Sequence, residues 1–209
     1  MKTNPYTVRD FAFQVDESRD TGDGRTLSGY AAVFDQDAEI KSYEGKFIER
    51  IKFGAFKRTL GIHNPIMQYD HGRDVRVGTV PIGVYSELRE DEHGLFVEGR
   101  LLDNPVVEPI RQAIEAHAIT GMSFKFRVLA DYWTDKVGRR LSEYEMQRLV
   151  SSPGSRGPIH RTITEIALHE AGPVASPAYR GTSVGVRSSA ESPRISKAMA
   201  ERRLKLLGR

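Results

Sequence analysis

Two side chains in this sequence are placed where they could perform hydrolysis. The chain has six histidines and no cysteine, so a cysteine nucleophile and thiolate metal sites are excluded. His71 ends a short apolar run and precedes a glycine, a position where a loop can present an imidazole. Ser123 opens an alternating run just after Gly121, whose missing side chain permits the close backbone approach that an oxyanion site requires. Their types fit a serine nucleophile and its general base.

A serine–histidine pair also needs an acceptor that orients the imidazole. A third apolar run offers Glu165, His169 and Glu170 for this role. Adjacent strand residues point to opposite faces, so at most one of His169 and Glu170 should face His71. Glu165 shares the face of His169 if the strand has no bulge. The spacing leaves the choice among the three open.

Other chemistries have weaker support. No pair of histidines recurs at helical spacing, since the predicted helix carries only His117, so a zinc site is disfavoured. The aromatic residues Phe124 and Phe126 alternate with Lys125 and Arg127, a pattern more typical of an ordinary strand than of a nucleic-acid platform. No cofactor is implied.

The elements that must position these residues are mostly strands. We predict a hairpin of residues 11–15 and 27–34 around a turn at 21–25, because Gly and Asp residues favour tight turns. Alternating or apolar runs predict further strands at 47–51, 66–69, 75–84, 95–101, 122–128, 163–170 and 182–186. Helical spacing predicts a helix over 106–118, with Asp103 or Asn104 as its cap, and brief helices near 53–60 and 195–207. Residues 131–158 break the strand pattern and are interpreted as a mobile surface excursion.

This pattern indicates a mainly β protein with flanking helices (α+β), folded as a closed or nearly closed β-barrel. The 209 residues, 39% of them hydrophobic, suffice for one domain with a buried core. We assign residues 1–187 to this domain and residues 188–209 to a basic tail. The whole chain has a net charge of +3. From Arg187 onward there are seven basic and two acidic residues, so residues 1–186 are slightly acidic. That body charge argues against nucleic-acid binding, and no apolar run is long enough for a membrane helix.

Five blocks in this sequence resemble, in order, the motifs of the HK97-type bacteriophage prohead maturation proteases. The blocks cover roughly residues 11–187. They are Phe47-Ile48-Glu49-Arg50-Ile51 with Gly54-Ala55-Phe56, Asp70-His71-Gly72 with Val77-Gly78, Asp91-Glu92-His93-Gly94-Leu95, Gly121-Met122-Ser123-Phe124-Lys125-Phe126, and Glu165 to Glu170 with Pro173 to Tyr179. One departure is Ala171-Gly172, where the family commonly has Val-Ser.

The resemblance implies a β-barrel of the herpesvirus-assemblin type and a serine endopeptidase. On it, Ser123 is the nucleophile, His71 the general base and Glu170 the third member. His169 is a rival for that position, since the herpesvirus enzymes use a histidine there, and Glu165 is another. The same resemblance makes Arg180 a candidate oxyanion group.

The resemblance also implies partners and a location. The enzyme would be packaged inside the phage procapsid, in the host bacterial cytoplasm. There it would cut the scaffold segment from the major capsid protein and then digest itself, removing the basic tail. A homo-oligomer is possible. Two alternatives stay open: a catalytically inactive assembly or scaffold module of the same fold, and a basic-tailed nucleic-acid-binding protein.

Overall fold

A computed structural model of the chain describes residues 7–12, 24–42 and 45–175. The predicted turn at 21–25, except its last two residues, the strand at 182–186 and the helix at 195–207 lie outside these ranges. The strands are β1 Thr7–Ala12, β2 Thr26–Val33, β3 Ala38–Ser42, β4 Gly45–Ile51, β5 Ile66–Met67, β6 Gly83–Glu90, β7 Gly94–Leu101, β8 Gly121–Thr134 and β9 His160–Val174. The helices are α1 Lys57–Leu60, α2 Glu108–Glu115 and α3 Glu143–Ser151. Within the described ranges, no helix is long and apolar enough to cross a membrane.

The strands form one strongly curled sheet with the order β1-β8-β9-β5-β6-β7-β2, and β4 joins β9 on a branch with β3. The prediction of a mainly β protein is confirmed, but the closed or nearly closed barrel is wrong, because the sheet is an open half-barrel. The hairpin predicted near the N-terminus would have paired β1 with β2 and closed the sheet. Instead, β1 pairs with β8 and β2 pairs with β7. These two strands are therefore the ends of the sheet order, and the ladder between them that would close the barrel is not formed in the described part of the chain.

The main core fills the concave side of this sheet. Phe124 and Phe126 are fully buried and stack with ring centroids 4.9 Å apart, and Phe56, just before α1, packs edge-on against Phe124. A bulge between Lys125 and Phe126 is one of three irregularities along the β8–β9 ladder. Bulges bend and twist a strand, so they account for the curl that wraps the sheet around this core.

The strand predicted over residues 75–84 is also wrong for most of its length. Only its last two residues belong to β6, and the preceding stretch is a series of turns. The Asp74 carboxylate accepts hydrogen bonds from the backbone N–H groups of Arg76 and Val77, at 2.8 and 3.0 Å. Gly78 has a φ of +57°. An aspartate that bonds its own following backbone favours a turn over a strand ladder.

The excursion at 131–158 contains the end of β8, helix α3 and a second, smaller core. Leu149 and Val150 of α3 pack with Ile40, Phe47 and Ile159, and Trp133 lies against Phe47 with ring centroids 4.9 Å apart. Its mobility stays a prediction. The packing gives the excursion a definite attachment to β3 and β4.

The N-terminus of α3 predicts an acid-sensitive contribution to stability. Ser142 and Glu145 form a capping box, and Glu145 also pairs with Arg156. The backbone N–H of Ser142, followed by Arg156 and the Ser142 hydroxyl, lowers the pKa of Glu145 from 4.5 to about 2. Since the folded pKa lies below the unfolded value, the stabilisation is present above about pH 4.5 and is lost as the pH falls towards 2.

We therefore expect Glu145→Gln to flatten the fall in stability between pH 5 and pH 3. The measurement is the urea midpoint, followed by the fluorescence of Trp133, the only tryptophan. Glu143→Gln, on the same helix turn, is the matched control. If Glu145→Gln keeps the full pH dependence of the wild type, the capping box does not carry this effect.

Candidate active site

Ser123 lies near the start of β8, between β1 and β9. Its register partners are Asp10 on β1 and Gly172 on β9. The side chain alternates with the core residues Met122 and Phe124, so it lies on the face of the sheet opposite the main core. Ser123 is nevertheless 0% exposed. Its hydroxyl oxygen is 2.7 Å from His71 Nε2 and 3.0 Å from the Arg9 carbonyl oxygen.

His71 is held in the tight turn that follows β5. Asp70, His71 and Gly72 all have positive φ values, of 46°, 58° and 74°. Left-handed backbone is unfavourable for a residue with a side chain, and such strain persists only where the surrounding structure fixes it. Here the N–H of Gly72 bonds to the Tyr69 carbonyl and the N–H of Arg73 to that of Asp70. The turn directs the imidazole onto the strand that carries Ser123.

Glu170 on β9 completes a line of three side chains. Its Oε2 atom is 2.6 Å from His71 Nδ1, and both side chains are 4% exposed. Glu170 pairs in register with Lys125, two residues along β8 from Ser123, so the carboxylate and the hydroxyl share one face. The other carboxylate oxygen, Oε1, is buried and has no hydrogen-bond partner within the described residues. A neutral His71 with its proton on Nδ1 can donate to Glu170 and accept from Ser123.

The two rivals for the third position lie elsewhere. Glu165 forms an ion pair with Arg58 at 2.8 Å, on the outside of α1. His169 lies near Arg127; burial first, and then the positive charge of Arg127, lowers the pKa of His169. Both ring nitrogens of His71 are engaged by Ser123 and Glu170. The geometry therefore supports Glu170 as the orienting group. Arg180, the candidate oxyanion residue, lies outside the described residues.

Gly172 is a site residue that sequence reasoning recognised only as a departure from the family pattern. A Cβ atom at this position would overlap the carbonyl oxygen of Gln68. The absence of a side chain lets the segment after β5 lie directly against β9, where the N–H of Gln68 bonds to the Ala171 carbonyl at 3.3 Å. The buried Tyr85 hydroxyl donates to the same carbonyl at 3.0 Å. Burial, and secondly the nearby Glu170 carboxylate, raise the pKa of Tyr85, so this hydroxyl keeps its proton.

We expect Gly172→Ala to separate His71 from Ser123. The new methyl group must displace the backbone of Gln68, three residues before His71, and overpacking of this kind costs roughly 1–3 kcal/mol. The urea midpoint should fall and any reaction at Ser123 should slow. Gly61→Ala is the matched control, because Gly61 has an ordinary φ of −77° and a Cβ there would have no neighbour closer than 3.6 Å. Equal behaviour of the two variants would contradict the close approach at Gly172.

The arrangement contains the parts of a hydroxyl-nucleophile hydrolase: a hydroxyl, a base that can accept its proton, and a carboxylate that fixes the base. Within the described residues, no group of three or more His, Asp or Glu side chains is placed to hold a metal ion. The three side chains come from strands and a turn that are distant in sequence, as expected of a site assembled by the fold.

Comparison with known proteins identifies the class. The model of the caudovirus prohead serine protease family matches residues 12–194, so the chain belongs to this family. The resemblance drawn from the five sequence blocks is thereby confirmed.

Two individual proteins are similar to this chain. The prohead protease of Enterobacteria phage HK97 is 31% identical over 138 residues, a match that covers 62% of this chain and 55% of that protein. The chain thus spans about half the length of this relative. The structure of the bacteriophage T4 capsid assembly protease, gp21, aligns with a TM-score of 0.43 at 7% identity, over 82% of this chain and 98% of that one.

Proposed function

We propose that this chain is a serine endopeptidase that cuts the scaffold segment from the major capsid protein, and cuts itself, during procapsid maturation. The observation that carries the proposal is the unbroken hydrogen-bonded line Ser123–His71–Glu170, with distances of 2.7 and 2.6 Å. Membership of the prohead protease family supports the substrate and the setting. The site of action is the interior of the procapsid.

The geometry supports a two-step acyl transfer. Ser123 Oγ attacks the carbonyl carbon of the scissile peptide while His71 Nε2 takes the hydroxyl proton. Glu170 stabilises the resulting imidazolium through Nδ1–H. His71 then returns the proton to the leaving amine, the C–N bond breaks and an acyl-enzyme remains on Ser123. In the second step His71 takes a proton from water while the hydroxide attacks the ester carbonyl carbon. The bond between that carbon and Ser123 Oγ then breaks, His71 returns the proton to the serine oxygen, and the acid product leaves.

The basic tail adds a proposed role in packaging. From Arg187 onward the sequence contains seven basic residues and only two acidic ones, and a cationic tail of this kind can bind an acidic scaffold segment. Cleavage between residues 187 and 195, in a stretch rich in Ser and Pro, would remove it. If deletion of residues 188–209 leaves the amount of enzyme in procapsids unchanged, the packaging role is wrong.

The experiment that tests the function is co-expression of this chain with the major capsid protein of the same phage. We expect intact-mass measurements to show that the capsid protein shortens from its N-terminus at one defined bond and that the chain itself shortens. The capsid protein expressed alone is the control and should stay intact. If both proteins keep their full mass in assembled procapsids, the proposed activity is wrong.

The complete burial of Ser123 favours a second candidate, an inactive assembly module of the same fold. This module would need no reactive serine and would assemble procapsids without cutting them. The same co-expression separates the two functions, because procapsids that form with uncut capsid protein support the module.

A further inference from the structure

Ser123 is covered by a strand of its own chain. β1 is an end strand, and its only ladder among the described residues is antiparallel to β8 from Thr7↔Phe126 to Ala12↔Gly121. The register places Asp10 opposite Ser123. Without β1, the edge of β8 that carries Ser123 would present unpaired N–H and C=O groups, which is the surface to which an extended peptide adds as a further strand.

β1 also competes with His71 for the serine proton. A hydroxyl has one hydrogen to donate. The Arg9 carbonyl oxygen is 3.0 Å from Ser123 Oγ, close to the distance of 2.7 Å to His71 Nε2. When the hydroxyl donates to this carbonyl, its proton is directed away from the base. β1 thus blocks access to Ser123 and withdraws the proton whose transfer starts the reaction.

The side chain of Arg9 fastens β1 to β4, a strand that pairs with β9. Its Nε atom lies 2.5 Å from Glu49 Oε1 on β4, and the two side chains are 13% and 3% exposed. Glu49 keeps a second cationic partner, because Arg161 Nη1 lies 3.2 Å from its Oε2. The loss of Arg9 would therefore release β1 without leaving the Glu49 carboxylate as an isolated buried charge.

We propose that the outer edge of β8, from Gly121 to Phe126, is the site where an extended peptide substrate adds as a strand, and that β1 fills this site in the free chain. The Arg9–Glu49 ion pair holds β1 there, so the free enzyme is latent until a substrate strand replaces it. This inference rests on the proposed function, since it names the substrate-binding edge of the same site. The substrate class is a peptide segment in extended conformation.

The test is the rate at which a fluorophosphonate, a reagent that labels activated serines, modifies Ser123 in the full chain. We expect slow labelling of the wild type and labelling at least roughly tenfold faster in Arg9→Gln, because loss of one partner of a buried ion pair weakens the attachment of β1. A synthetic peptide with the sequence of residues 5–14, added to Arg9→Gln, should slow labelling again. Arg50→Gln, which removes the exposed Arg50–Asp37 pair, is the control and should label like the wild type.

Hydrogen exchange measures the release of β1 directly. In Arg9→Gln the backbone amides among residues 121–126 that donate to β1 should exchange faster than in the wild type, while the amides that donate to β9 and those of β7 should not change. Equal labelling and equal exchange in the wild type and Arg9→Gln would overturn the role of β1 and leave the protease function intact. Faster exchange over 121–126 with no labelling of Ser123 in any variant would show a movable β1 over an unreactive serine, and both proposals would fail.

Discussion

Replacing Ser123 by alanine is expected to abolish cleavage of the capsid protein and of the chain itself. Removal of the nucleophile from a serine–histidine–carboxylate arrangement lowers turnover by on the order of 10⁶-fold in a well-studied case. The fold should be retained, because alanine fits the space of a serine and the backbone register with Gly172 does not depend on the hydroxyl. The measurement is intact mass over time in cells that also express the capsid protein.

Ser86→Ala is the control for this experiment. Ser86 is a strand serine on β6, and its hydroxyl donates to the Glu98 carbonyl at 3.3 Å. This variant should cleave like the wild type. If Ser123→Ala also cleaves at the wild-type rate and the same bond is cut, another residue is the nucleophile and the assignment of Ser123 is wrong.

Glu170→Gln is expected to slow cleavage by about 10⁴-fold, the effect of the equivalent carboxylate-to-amide change in a serine protease. The amide has the size of the carboxylate but can present an N–H group to His71 Nδ1. That contact favours the tautomer with its proton on Nε2, and Nε2 can then no longer accept the proton of Ser123. The readout is the cleavage rate of the capsid protein, together with the urea midpoint to show that the variant is folded.

His169→Gln and Glu165→Gln test the two rivals under the same conditions. Since Glu165 pairs with the exposed Arg58 and His169 lies beside Arg127 and His63, each change should alter the rate by no more than a few-fold. If His169→Gln is the slow variant and Glu170→Gln cleaves normally, the third member is His169 and the assignment of Glu170 is wrong.

The sequence predicted the local part of this site well. Alternation along the predicted third strand indicates that at most one of His169 and Glu170 faces His71, and in the structure Glu170 contacts it. The position of His71 at the end of a strand was predicted from the short apolar run that precedes it. These features depend on residues close together in the sequence, so the alternation of apolar and polar residues is enough to predict them.

Contacts between segments that are far apart in the chain could not be predicted from the sequence in the same way. The need for glycine at Gly172 comes from the carbonyl of Gln68, which lies just after β5 and more than 100 residues earlier in the chain. The hairpin prediction failed for a similar reason: the partners of β1 and β2 are β8 and β7, strands that occur much later in the chain than the turn between them. Arg9 and Glu49 lie 40 residues apart, and neither belongs to a pattern that indicates their pairing.

The separations along the chain also set an order in which the parts become available during synthesis. Arg9 is made 114 residues before Ser123, and Glu170 is made 99 residues after His71. The ribosome makes the chain from its N-terminus to its C-terminus. The covering strand is therefore present before the serine it covers, and the orienting carboxylate arrives last. On the proposed role of β1, the strand that covers Ser123 is therefore available before the site is complete, which would protect other nascent proteins from cleavage.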